Sequence, residues 1–189
     1  MSTPTVQVPQ LVVSVRDLTR QPGNLAQQSF GFEAPDGVGD QNIIAVPLGS
    51  AVNLDLLLES VMEGILASGS VQADAQGHCG RCLGPVKQHL QVTFQELYCY
   101  PERAVAAGEA GAELDSELQV VDETIDLNAP VRDALVLALP FQPLCQSDCA
   151  GLCAQCGQAL ADQPDHQHEQ VDPRWSALEQ LLLSRVEKS

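Results

Sequence analysis

The sequence predicts an α+β fold rich in antiparallel strands, with two helices in the C-terminal half of the chain. Apolar residues alternate with polar ones through much of the first half, which is the period of a half-buried strand. Helical spacing of apolar residues appears only in the second half. A chain of 189 residues can bury a core of its own without covalent cross-links. We therefore predict one domain over 1–189, divided into a strand-rich part at 1–102, an acidic flexible insertion at 103–118 and a helical, cysteine-rich part at 119–189.

Alternation predicts five strands in the first half. They are expected at 11–15, around Phe30 and Phe32, at 52–58, at 65–76 and at 86–94. The last two show the clearest pattern, and they flank the Cys-x-x-Cys sequence Cys79–Cys82. A hairpin that joins these two strands must turn at Cys79–Cys82, so both thiols are expected on one side of its tip.

Two helices are predicted in the second half. The first begins near Asn128, which we interpret as its N-cap, carries Pro130 in its first turn and ends before Pro140. The second opens at Asp172–Pro173. Its apolar residues at helical spacing are Trp175, Leu178, Leu182 and Val186. We expect this second helix to pack on the core.

The chain is strongly acidic, with a formal net charge of −16 and only nine Lys and Arg residues. Binding to nucleic acids and anionic membranes depends on basic residues, so this charge argues against tight direct binding to DNA, RNA or a membrane. The expected direct partner is a protein, although acidity that only keeps the chain soluble remains open. The start of the chain lacks the pattern of a secretion signal, and no apolar stretch is long enough to cross a membrane. We expect a cytoplasmic protein with reduced thiols.

The cysteines predict a metal site, and zinc is the expected ion, because four thiolates in a tetrahedron are typical of structural zinc. The candidate ligands are Cys79, Cys82, Cys145, Cys149, Cys153 and Cys156. Spacing leaves three sets open: Cys79, Cys82, Cys153 and Cys156 as a zinc ribbon, the local set Cys145, Cys149, Cys153 and Cys156, or the mixed set Cys79, Cys82, Cys145 and Cys149. A second ion that shares bridging thiolates is a less favoured alternative. Each set draws on a zinc knuckle, a turn that holds two cysteines on one side.

Other chemistries fit the cysteines less well. A redox pair at Cys79–Cys82 needs a strand–helix context, whereas this pair lies between predicted strands. The spacing also matches neither common ferredoxin pattern. We interpret Cys99 as a small apolar residue, and His78, His166 and His168 as exposed loop histidines. A closed thiolate site has no open coordination position, and the chain has no nucleophile or phosphate-binding motif, so we do not expect an enzyme.

The chain resembles the YceD-like family, the large ribosomal RNA subunit accumulation proteins of bacteria and plastids. The resemblance rests on Cys79-Gly80-Arg81-Cys82-Leu83 with Pro85-Val86, on the stretch 138–157 and on the ending 172–178. It implies a non-enzymatic role in making or stabilising large-subunit ribosomal RNA, and it places the family's cysteines on the six candidates above. Because the chain is so acidic, we expect it to act through a ribosome-assembly or ribosomal protein.

Two other functions stay open from the sequence. A thiol-based redox or metal-responsive regulator would use the same cysteines. A nucleic-acid-binding zinc ribbon is supported only by Arg81 and Lys87 near the first Cys-x-x-Cys pair.

Overall fold

The computed structural model describes residues 11–18, 21–34, 38–102, 118–163 and 165–168. The chain divides into two compact units, unit 1 at Met1–Ser147 and unit 2 at Asp148–Ser189. The strands of unit 1 are β1 (Val12–Ser14), β2 (Leu25–Glu33), β3 (Val38–Asp40), β4 (Ile44–Val46), β5 (Ala51–Ser60), β6 (Gly64–His78), β7 (Pro85–Cys99) and β8 (Thr124–Asp126). They are followed by one helix, α1 (Asn128–Ala138).

Unit 1 is organised around the long strand β6. Its strand β7 pairs with β6 along all 15 residues of each strand, from Gly64 opposite Cys99 to His78 opposite Pro85. On the other edge of β6, β5 pairs with the first part of the strand and β4 with its end. Strands β2 and β3 complete this six-stranded antiparallel sheet, while β1 and β8 form a separate two-stranded sheet.

One face of the sheet forms the core, because side chains along β5 and β6 point alternately into the protein and into solvent. The buried side of β5 consists of Val52, Leu54, Leu56 and Leu58. Helix α1 buries Pro130, Val131 and Leu135, and it packs against β7 with further contacts to β3 and β6. Among the described helices, none is long and apolar enough to cross a membrane.

The predicted antiparallel architecture is confirmed. The alternation at 11–15, 52–58, 65–76 and 86–94 marks real strands, and the strand at Phe30 and Phe32 extends over the whole of β2. Three short strands were not predicted: β3, β4 and β8 have the sequences Val-Gly-Asp, Ile-Ala-Val and Thr-Ile-Asp, and no alternation was found there from the sequence. The flexible insertion at 103–118 and the helix opening at Asp172–Pro173 stay predictions, because 103–117 and 169–189 lie outside the described residues.

The start of α1 differs from the prediction. Asn128 is its first residue and not its N-cap, which is Leu127. The Asn128 amide donates a 2.6 Å hydrogen bond to the carboxylate of Asp126, and its oxygen accepts one from the backbone N–H of Leu11. The Asp126 carboxylate also accepts from the backbone N–H of Asn128, which leaves less need for a side-chain cap. The helix ends at Ala138, before Pro140, as predicted.

Tyr98→Phe is expected to lower the free energy of unfolding by about 0.5–1.5 kcal/mol, because it removes a side-chain hydrogen bond to a backbone carbonyl oxygen. Tyr98 is fully buried, and its hydroxyl donates a 2.6 Å hydrogen bond to the carbonyl oxygen of Asp126. Burial, with smaller effects of the Asp126 and Glu96 carboxylates, raises the pKa of Tyr98 above its ordinary value of 10.0. Its contribution to stability is therefore complete below pH 10.0 and falls as the pH rises toward the raised pKa.

The measurement is urea unfolding of the wild type and of Tyr98→Phe in buffers below and above pH 10.0. We expect the variant to lose less stability than the wild type between the two buffers. An identical alkaline loss in both proteins would contradict this role for Tyr98.

Candidate metal centres

The turn between β6 and β7 is a hairpin tip that presents two cysteines, as predicted. The backbone N–H of Cys79 donates to the carbonyl oxygen of Gly84 at 2.7 Å, and the N–H of Leu83 donates back to the carbonyl oxygen of Cys79 at 2.9 Å. Leu83 has a φ of +59°, a left-handed conformation that lets the chain reverse within a short loop. Just before the tip, Gly77 lies so close to the carbonyl oxygen of Ile43 that a Cβ would overlap it.

The Cys79 sulfur lies inside this turn and accepts backbone hydrogen bonds. Cys79 is fully buried, and the N–H of Arg81 lies 3.4 Å from its Sγ. Hydrogen bonds from the backbone N–H of Cys82, then of Cys145, lower the pKa of the Cys79 thiol to about 6, against the opposing effect of burial. These bonds stabilise the thiolate, which is the form that binds a metal.

A third thiol reaches the tip from a distant segment of unit 1. The N–H of Gly80 donates to the carbonyl oxygen of Pro143 at 2.8 Å, which ties the chain after α1 to the turn. The Sγ of Cys145 lies 3.6 Å from the Sγ of Cys82. A disulfide needs about 2.05 Å, whereas two sulfurs on one tetrahedral zinc lie about 3.8 Å apart. The spacing of these two sulfurs therefore suits a shared metal ion better than a disulfide.

Unit 2 contains a turn with the same backbone pattern. The N–H of Cys153 donates to the carbonyl oxygen of Gln158, and the N–H of Gly157 donates back to that of Cys153, both at 2.8 Å. Gly157 has a φ of +72° and occupies the place that Leu83 has in the first turn. Hydrogen bonds from the backbone N–H of Cys156, then of Gln155, lower the pKa of the Cys153 thiol to about 6.

Two histidines converge on this second turn. The Nε2 atoms of His166 and His168 lie 3.2 and 3.3 Å from the Sγ of Cys156. With Cys153, they form a group whose four ligand atoms all lie within 4.8 Å of one another, so the group is geometrically able to hold a metal ion. The interpretation of His166 and His168 as plain loop histidines therefore missed this arrangement. The available signal was a Cys-x-x-Cys pair followed, ten residues later, by His-x-His in a polar stretch.

The six predicted cysteines thus fall in different parts of the chain. Cys79, Cys82 and Cys145 meet in unit 1. Cys153 and Cys156 meet two histidines in unit 2. Cys149 is buried near the start of unit 2. The remaining thiol, Cys99, is half-buried at the end of β7, and His78 is exposed at the end of β6.

Leu83→Gly tests the conformation of the first turn. Leu83 is 64% exposed, so little packing is lost, and glycine adopts a positive φ without the roughly 1–2 kcal/mol cost of a side chain. Because glycine also gains freedom in the unfolded chain, we expect a net change in unfolding free energy between zero and about +1 kcal/mol. Urea unfolding of Leu83→Gly measures this free energy. Gly157→Ala is the inverse control, and we expect it to lower the free energy of unfolding by about 1 kcal/mol. A clear loss of stability in Leu83→Gly would contradict the left-handed turn.

The chain is similar to one known protein family and to several individual proteins. The family described as "Large ribosomal RNA subunit accumulation protein YceD" matches residues 67–182. The uncharacterized protein Rv2926c of Mycobacterium tuberculosis is 44% identical over 172 residues, which cover 91% of this chain and 81% of that protein. The uncharacterized protein ML1660 of Mycobacterium leprae is 38% identical over 93% of this chain and 79% of its own length. YlbN of Bacillus subtilis, also uncharacterized, is 31% identical over 55% of this chain and 58% of its own length. No solved structure is significantly similar to the chain.

Proposed function

Because the chain belongs to the YceD family of large ribosomal RNA subunit accumulation proteins, we propose that it is a non-enzymatic ribosome-biogenesis factor. It would support the accumulation or processing of 23S ribosomal RNA in the cytoplasm. The observation that carries this proposal is the family match over 67–182, which includes most of β6, all of β7, α1 and both cysteine turns.

The proposal includes a structural zinc ion at the tip of the β6–β7 hairpin, held by Cys79, Cys82 and Cys145 with a fourth thiolate from the six predicted cysteines. The support is that the three thiols of unit 1 meet at this tip, with 3.6 Å between the sulfurs of Cys82 and Cys145. Four thiolates leave no coordination position for water, so such an ion would stabilise the fold and would not catalyse a reaction. Its role would be to fasten the segment after α1 to the hairpin.

A protein is the proposed direct partner, and charge is the reason. The described residues include only four Lys and Arg: Arg16, Arg81, Lys87 and Arg132. Arg16 forms an ion pair with Glu123, with 2.7 Å between Nε and Oε2. Against a net charge of −16, this surface offers little to neutralise RNA phosphates, whereas it complements the basic surface of a ribosomal protein. The same argument disfavours contact with DNA or an anionic membrane.

The test in cells is deletion of the gene, with the ratio of 23S to 16S ribosomal RNA as the readout. We expect the deletion to lower this ratio, the wild-type chain to restore it and Cys82→Ser to restore it poorly. Cys99→Ser is the matched control, because Cys99 lies outside both metal-binding groups, and it should complement like the wild type. An unchanged ratio after deletion would exclude the proposed role.

The test of the partner is binding of the purified zinc-loaded protein at increasing salt. We expect capture of a basic ribosomal or assembly protein and weak binding to naked 23S ribosomal RNA at low salt. Tight RNA binding that weakens steeply with salt would show direct phosphate contacts and would overturn the proposal of a protein partner.

The alternative function, a thiol-based redox or metal-responsive regulator, is favoured by one observation. Cys153 is only half-buried, and backbone hydrogen bonds lower the pKa of its thiol to about 6, as in reactive cysteines. The two functions differ in the reactivity of this thiol. Zinc-bound thiolates react slowly with an alkylating reagent, so fast alkylation of Cys153 in the purified protein would favour the regulator.

A further inference from the structure

We propose that unit 2 binds a zinc ion of its own through Cys153, Cys156, His166 and His168. This ion is separate from the one proposed at the hairpin tip, and it uses two histidines that the sequence patterns left unassigned. The proposal does not depend on the ribosomal role. Two cysteines and two histidines are one of the standard ligand sets of structural zinc.

The positions of the ligand atoms support a tetrahedral ion. Around zinc, a sulfur and a nitrogen ligand lie about 3.5 Å apart, and two nitrogen ligands lie about 3.3 Å apart. The structure has 3.2 and 3.3 Å from the Cys156 Sγ to the two Nε2 atoms, and 2.8 Å between those Nε2 atoms. A bound ion therefore needs only a separation of the ligands by a few tenths of an ångström.

The orientation of the two rings also points to a shared ligand. The imidazoles of His166 and His168 lie at 87° to each other, with 4.5 Å between their centroids, so they meet edge to face and are not stacked. Their Nε2 atoms turn toward each other and toward the same sulfur. Ring nitrogens and a cysteine sulfur that converge in this way can all bind one cation. A zinc ion satisfies all three at once.

The packing of unit 2 gives a further reason. Of its described residues, 148–163 and 165–168, only Cys149 and Gly151 are buried. Its regular structure within those ranges is a single bridge between Leu152 and Ala159, together with turn hydrogen bonds. Within these ranges, apolar packing does little to hold the turn at Cys153–Cys156 in place, and a bound metal can supply such stability. The ion would provide that stability by joining the turn at Cys153–Cys156 to the chain at His166–His168.

The experiment counts zinc per chain in the purified full-length protein, by native mass spectrometry and elemental analysis. We expect two ions in the wild type and one in the His166→Ala/His168→Ala double variant. Cys82→Ser should also hold one ion, since it removes a ligand of the other group. His89→Ala is the matched control, because His89 is exposed on β7, contacts Asp74 and lies outside both groups; it should keep two ions.

Cobalt substitution identifies which group is filled. In Cys82→Ser loaded with Co²⁺, we expect the absorption of a site with mixed sulfur and nitrogen ligands, and in the double histidine variant that of a site with sulfur ligands alone. If the double variant does not fold, His166→Cys replaces one ligand with another and should retain two zinc ions. A wild type without zinc, or a zinc content that is the same in the wild type and in the double histidine variant, would overturn the proposal, whatever the effect of deletion on ribosomal RNA.

Discussion

Loss of the ion proposed at the hairpin tip is expected to lower the melting temperature of the protein by about 10 °C. An ion present at a thousand times its dissociation constant stabilises the folded state by about 4 kcal/mol. For a chain of this length, each kcal/mol shifts the melting temperature by about 2–4 °C. The thiols of Cys79, Cys82 and Cys145 come from segments 63 residues apart, so the ion would close a long loop as well as the hairpin tip.

Calorimetry of Cys82→Ser, with Cys99→Ser as the control, measures this effect. Cys82 contributes a sulfur to the group at the tip, whereas Cys99 lies at the opposite end of the hairpin. We expect a large fall for Cys82→Ser and a change of a few degrees at most for Cys99→Ser. A melting temperature that is the same for the zinc-loaded and chelator-treated wild type would refute the structural role of the metal.

Leu54→Ala is expected to destabilise unit 1 by about 2–5 kcal/mol, because it leaves a cavity at the centre of the sheet. Leu54 is 0% exposed, and on its two sides it is paired with Phe30 of β2 and Val71 of β6. Leu57 lies on the other face of the same strand and is 41% exposed. Its replacement by alanine removes the same atoms from a surface position, where changes usually stay within about 0.5 kcal/mol.

Urea unfolding of both variants tests this contrast directly. The midpoint should fall strongly for Leu54→Ala and little for Leu57→Ala, with similar slopes, since the surface exposed on unfolding is nearly the same. Equal losses would mean that the alternation along β5 does not separate a core face from a solvent face.

The strands could be predicted from sequence where one face is buried over many residues. In β5 and β6 the apolar side chains recur at every second position, and this local pattern follows directly from strand geometry. In β4 all three residues are buried, so no alternation exists to be recognised. The N-cap of α1 was assigned wrongly because the preference of Asn128 for caps is local, whereas its hydrogen bond with Leu11 depends on the tertiary fold.

The cysteines of the candidate metal centres could be identified from the sequence, but their grouping could not. Spacing identifies Cys-x-x-Cys turns, because the geometry of such a turn is set within a few residues. Which distant thiol joins Cys79 and Cys82 depends on where the chain emerges after α1, and the bond between Gly80 and Pro143 that guides Cys145 has no signature in the sequence. The part played by His166 and His168 was missed for a similar reason, since polar loop histidines usually have no ligand role.

The position of β7 at the edge of its sheet has a consequence for the behaviour of the protein at high concentration. Within the described residues, its strand partner is β6 alone, so along most of β7 every second amide points away from the sheet. Among the described residues, Cys99 at the end of β7 bonds to Leu118 and Val120, whereas the strand before it presents backbone groups on which a second chain could add a strand. Pro85 and Lys87 at its start, together with mutual repulsion between chains of net charge −16, oppose such growth into fibres. Acid, which neutralises that charge, and high salt, which screens it, should therefore both favour self-association through β7.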